Sequence, residues 1–170
     1  MDVAALIRQQ QASGFPDIAG AQVTATVPVN ERLINQVISA NLPKGGALRH
    51  AELHAHPGER LTLRVTLAKP AFVPPFNVNL QIERQAQLPD SPVIVLRIAG
   101  AGGLMAMAGS IAGLANGLPP GMRLDGDRIV VDLRAMLRPH GADGVLDLLE
   151  ELYVATGEGT VTLAFRARVG

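Results

Sequence analysis

Apolar positions along this chain follow two periods, and the changes between them mark its elements. Val3, Leu6 and Ile7 share a helical face, which predicts a short helix over residues 2–12 that ends at Ser13-Gly14-Phe15-Pro16. Val23-Thr24-Ala25-Thr26-Val27 alternates instead, and predicts a strand half-buried on its Val face and closed by Pro28. Asn30 is a good N-cap. After it Leu33, Ile34, Val37, Ile38 and Leu42 recur at helical spacing, so the expectation is an amphipathic helix with one buried stripe, stopped by Pro43 and Gly45-Gly46.

The period then changes to two. Leu48 to His56, a Pro57-Gly58 turn, and Leu61, Leu63, Val65 and Leu67 between polar residues make the clearest hairpin in the sequence. After Pro70, Pro74 and Pro75, the residues Phe76, Val78, Leu80 and Ile82 alternate with Asn77, Asn79, Gln81 and Glu83 in another half-buried strand. Val93 to Ile98 is apolar on both faces and predicts a strand more fully covered than its neighbours. An Asp125-Gly126 turn announces a strand at Ile129 to Leu133, and Val145, Leu148, Leu149, Leu152 and Tyr153 fit one face of a late helix. Val161, Leu163, Phe165, Ala167 and Val169 alternate to the end. Strands and helices do not alternate as they would around a parallel sheet, so the fold class is α+β with an antiparallel sheet, in one domain over residues 1–170.

The segment between Arg97 and Arg123 carries no charge, and Ile98 to Leu118 has only Ser110 and Asn116 as conventional polar side chains. It is long enough to cross a bilayer, but Gly100, Gly102, Gly103, Gly109, Gly113 and Gly117 lower its helix propensity and supply little apolar area. As a helix over residues 103–117 it would line Gly109, Gly113 and Gly117 along one face, where another backbone, including that of a second copy, could approach closely. Leu104, Met105, Met107, Ile111 and Leu114 would fill much of the rest, a soft surface suited to apolar partners. With 3% aromatic residues and no Trp, the chain has little bulk to fill space between such a helix and a sheet, and a lipid chain could supply that volume. Those five residues, with Phe72 and Phe76, are the expected ligand contacts. A core helix, buried for packing alone, is the alternative.

The order of elements adds a resemblance. A helix beginning Val29-Asn30-Glu31-Arg32-Leu33-Ile34-Asn35, long alternating strands, an apolar helix and the run from Leu118-Pro119-Pro120-Gly121 to Val131-Asp132-Leu133 resemble small bacterial members of the tubular lipid-binding superfamily over roughly residues 21–169. That resemblance implies a strongly curved antiparallel sheet wrapped around one or two helices, with lipid held in the seam, and leaves residues 1–20 as an N-terminal helix or arm.

Other residue groups point to chemistry less directly. His50, Glu52, His54 and His56 share a parity and would project from one strand face as a zinc- or iron-like set, although a solvated polar face opposite Ala51, Leu53 and Ala55 is the commoner outcome. Asp125, Asp127 and Asp132 lack the closing Glu of a calcium loop and fit turn chemistry. Ser110 sits in no Gly-x-Ser-x-Gly elbow, and Gly100-Ala101-Gly102-Gly103 lacks the lysine of a phosphate cradle. Asp147, Glu150 and Glu151 would form the solvated side of the late helix.

Fifteen basic residues balance fifteen acidic ones, so no overall field favours nucleic acid, and the absence of cysteine removes disulfides and thiolate chemistry. The N-terminus reads as lacking a secretory leader, which makes the cytoplasm the expectation as written and the periplasm the expectation if a leader has been trimmed. The expected function is non-enzymatic and cofactor-free binding or transport of lipid or another long apolar molecule, with transient membrane contact. A structural or oligomerisation module forming a homodimer is the alternative from another class. A metal-dependent enzyme on the His50–His56 strand is the third reading.

Overall fold

The computed structural model describes residues 20–68, 74–100 and 117–168. The predicted helix at residues 2–12 and the apolar segment at 101–116 lie outside them. So do Leu104, Met105, Met107, Ile111, Leu114 and Phe72.

The chain is α+β, with a strongly curled antiparallel sheet forming a half-barrel and a couple of helices. Two ladders build it. One contains β2 (Leu48–His56), β3 (Arg60–Leu67), β4 (Phe76–Arg84), β5 (Val93–Ile98), β6 (Met122–Asp125) and β7 (Arg128–Asp132), in the order β2-β3-β4-β5-β7-β6. The other has β9 (Thr160–Arg168) between β1 (Gln22–Asn30) and β8 (Leu149–Gly157). All pairings are antiparallel.

The cross-strand register shows why the sheet has one apolar face. Leu53, Leu63 and Val78 lie opposite one another in β2, β3 and β4, as do Leu96, Ile129 and Leu124 in β5, β7 and β6. These rows belong to a single core that also takes in Val161, Leu163, Leu152 and Val154 of the smaller ladder. Val65, at 0% exposed, marks its centre. The β5–β7 pair is covered on both sides as its sequence predicts: Val95 and Val130 face each other on the reverse surface and are also buried.

Helix α1 (Glu31–Asn41) begins at the expected cap, where the Asn30 side chain accepts from the Arg32 N–H at 2.7 Å. Its buried stripe is narrower than the periodicity suggests. Ile34, Ile38 and Leu42 face the sheet half-buried, whereas Leu33 and Val37 are exposed. The inward face instead includes Glu31 and Asn35, because the helix packs against the edge of β2 and must supply polar partners there.

The predicted helix at Val145–Tyr153 is overturned. A 3-10 turn covers Asp143–Leu148, and β8 follows. A β-bulge explains the misleading period, since the register shift between Leu149 and Glu151 puts Leu149 and Leu152 on the same face, opposite Ala167 and Phe165. That three-residue spacing imitates a helix. Asp147, Glu150 and Glu151 are nonetheless on the wet side, paired with Arg134, Arg168 and Arg166 respectively. Pro28 does not close β1, which runs on to Asn30; the strand lies at the edge of its ladder, where a missing N–H costs nothing.

Strand β7 ends at Asp132, one residue earlier than expected, because the Asp132 carboxylate accepts from the Ala135 N–H and caps α2 (Leu133–Leu137). The unpredicted β6 follows a tight Pro119-to-Met122 turn that requires Gly121 at φ +88°. A Cβ there would meet Met136 N at 2.8 Å and Asp132 O at 2.9 Å, backbone atoms with no freedom to move aside. Gly121→Ala is expected to cost about 2–3 kcal/mol in urea unfolding.

On the outer face Arg128 forks onto Glu83 through two 3.0 Å hydrogen bonds, which hold the Glu83 carboxyl below its usual range. A depressed carboxyl pKa stabilises the fold above the ordinary carboxylate range, and that contribution is lost as pH falls through the folded value. The stability gap between the natural chain and Arg128→Ala is therefore expected to be small at neutral pH and to vanish in acid unfolding experiments.

Candidate functional site

The smaller ladder presents an apolar face along its whole length. Val23, Ala25, Val27 and Val29 of β1 lie opposite Ala167, Phe165, Leu163 and Val161 of β9, and these lie opposite Leu149, Leu152, Val154 and Thr156 of β8. Thr156 is the one polar side chain in that array. The reverse face is polar, with Arg166 on Glu151 at 3.0 Å and Arg168 on Glu150 at 2.9 Å.

The apolar face is unevenly covered. Where β8 and β9 meet the six-stranded core, Val161 is buried and Leu152, Val154 and Leu163 pack against it. Toward the free edge, Val23 is 47% and Val27 43% exposed. Leaving a valine this open forgoes much of the roughly 1.5–3 kcal/mol that its burial would contribute. Among the described residues no ladder joins β1 to β6, the strands at the outer ends of the two ladders, so the described strands leave the half-barrel unclosed along that side.

The opposite side is closed by polar stitches. Gln85 donates from Nε2 to Val154 O at 2.8 Å and accepts from Val154 N at 3.0 Å through Oε1, so its amide serves β8 as a one-residue strand. Asn35 does the same for β2, donating to Leu53 O at 2.9 Å and accepting from Leu53 N at 2.7 Å. Glu31 accepts from Ala55 N at 3.1 Å, Gly159 N donates to Ala55 O at 3.0 Å, and Thr156 Oγ1 donates to His56 O at 2.6 Å. These contacts occupy edge groups that a sheet would otherwise leave unpaired. Glu59, a non-glycine at φ +61°, aims its carboxylate into the same junction, where it accepts from Tyr153 Oη at 2.5 Å and raises the phenol's pKa.

Of the residues expected to touch a ligand, Phe76 alone is described. It stands in β4 opposite Val65, half-buried against the core. The face built by β1, β9 and β8 was not expected, because β8 reads as a helix until its bulge is known.

His50, Glu52, His54 and His56 do lie on one polar face of β2, opposite Thr66, Arg64, Thr62 and Arg60. They form a line rather than a cage. His54 sits 3.8 Å from Glu52 and 3.6 Å from Glu31, His50 sits 4.0 Å from Glu52, and His56 Nε2 is hydrogen-bonded with Thr62 Oγ1 at 3.1 Å. Among the described residues no group of three His, Asp or Glu side chains converges on a metal position.

Comparison with protein-family models, with curated proteins and with solved structures gave no match. Among the described residues, no helix is long and apolar enough to cross a membrane.

Proposed function

We propose that this chain binds lipid or another long apolar molecule in the half-barrel, against the apolar face of β1, β9 and β8 and the core rows that continue it. The observation that carries this reading is the partial cover of that face among the described residues: aliphatic side chains in unbroken cross-strand rows, closed by hydrogen bonds on the β2–β8 side and joined by no ladder between β1 and β6. Binding of this kind needs shape and apolar area rather than placed polar groups, with roughly 0.8 kcal/mol from each buried methylene. It therefore operates without a catalytic constellation, as a carrier or a sensor. The resemblance to tubular lipid-binding proteins supports the same reading.

A series of saturated fatty acids competing with a fluorescent apolar probe tests it. Affinity is expected to rise with each added methylene, by about two- to fourfold per group, until the chain fills the trough. An affinity independent of chain length, or no displacement at all, would favour the rival reading in which the face is a packing surface of a structural module.

A further inference from the structure

A second concave feature lies at the far end of α1, where the chain turns into β2. There Ser39, Leu42, Lys44, Leu48, Arg49 and His50 border an open cavity of about 360 Å³. Pro43 to Gly46 form a tight turn in which Gly46 N donates to Pro43 O at 3.1 Å and Gly45 takes φ +77°, the conformation required at the third position of a type II turn. The turn leaves open space beside Gly45, where an added Cβ would meet nothing within 4 Å.

The lining divides by chemistry. Its floor is apolar: Leu48 is a buried member of the core and Leu42 packs against that core. Its rim carries Lys44 and Arg49, neither of which has an ion-pair partner among the described residues. His50 adds a ring that charges only on protonation, and its carboxylate neighbour Glu52 stands 4.0 Å away. Among the described residues no acidic side chain lines the cavity. The C-terminal end of α1 contributes about half a negative charge, which two full positive charges outweigh. The local field is thus positive in a chain whose formal net charge is zero.

We infer that this cavity is a head-group site for a single-chain anionic amphiphile, the anion between Lys44 and Arg49 and the first carbons of the chain against Leu42 and Leu48. The inference rests on the apolar-binding reading above and adds the charge of the ligand to it. A cationic rim over an apolar floor suits a carboxylate or phosphate joined to a hydrocarbon better than either part alone, because the anion gains charge-assisted hydrogen bonds while the chain leaves water.

Laurate, dodecanol and inorganic phosphate, each titrated below any micelle-forming concentration, separate the outcomes. Laurate is expected to bind at least tenfold more tightly than dodecanol, with an affinity that falls as salt is added. Replacing both cations, Lys44→Ala with Arg49→Ala, should bring laurate down to the level of dodecanol while the melting temperature stays unchanged, since both side chains are exposed. Equal affinities for laurate and dodecanol, unmoved by the double replacement, would overturn the head-group site and leave the apolar reading standing. Inorganic phosphate binding as tightly as laurate would also overturn it, by showing a site for free anions. Failure of both twelve-carbon probes to bind would defeat the apolar reading itself.

Discussion

Gln85→Leu is expected to lower the unfolding free energy by about 2–4 kcal/mol, because it orphans the N–H and the C=O of Val154 at once in a partly buried junction. Leucine fills a similar volume, so the loss reports hydrogen bonds rather than a cavity. Gln85→Glu should be at least as damaging: it retains an acceptor for Val154 N but turns a carboxylate toward Val154 O and toward Glu59, whose Oε1 now accepts from Gln85 at 3.3 Å. Asn35→Leu should act in the same way on β2 through Leu53, and the two sites share no partner, so their costs should add. Urea denaturation measures all three. A change of less than about 0.5 kcal/mol for Gln85→Leu would mean that water serves Val154 equally well and that something else holds the two ladders together.

The second expected result concerns binding. Val23→Glu combined with Val27→Glu should weaken an apolar probe at least tenfold and leave the melting temperature within a few degrees. Both valines already stand 47% and 43% exposed, so carboxylates there remain hydrated in the free protein. A bound apolar molecule would strip that water, and an unpaired desolvated charge costs several kcal/mol, more than the 1.4 kcal/mol that a tenfold loss requires. Thr24→Glu with Thr26→Glu is the matched control, since those positions alternate onto the polar face opposite Arg166 and Ala164. Binding lost only in the valine variant places the ligand on the apolar face. Equal behaviour of the two variants would place it elsewhere.

Much of this architecture is legible in the sequence because most strands have one wet face and one dry one. In β2, β3, β4 and β9 that alternation fixes both the element and its orientation, and the strict pairing of Leu53 with Leu63 and Val78 follows from it. The Asn30 cap was equally readable, because a side-chain oxygen followed by an apolar helical run has few other uses. Two kinds of feature were hidden. A bulge changes the side-chain period from two to three for one step, which made Leu149 to Tyr153 look helical and concealed the third strand of the apolar face.

The other hidden feature is the set of polar residues that serve strand edges. Asn35 and Gln85 carry no local signal, since their partners are 18 and 69 residues away in sequence and the demand they meet arises only once the sheet curls. The exposure of Leu33 and Val37 has the same origin, because α1 turns Glu31 and Asn35 inward to serve β2. For ligand contacts the sequence offered Phe76 together with Leu104, Met105, Met107, Ile111, Leu114 and Phe72, which lie outside the described residues, and none of the β1, β9 and β8 face. Its geometry came from the register of β1, β9 and β8.

The most direct test of the central claim is native mass spectrometry of the protein as purified from cells, followed by solvent extraction and lipid analysis of the same sample. A long-chain apolar molecule carried through purification and released on denaturation is the expected result, and a single-chain anionic class in the extract would agree with the cavity at Lys44 and Arg49. A mass equal to the bare chain, with none gained after incubation with lipid vesicles, would contradict the account and leave the apolar face as a packing surface.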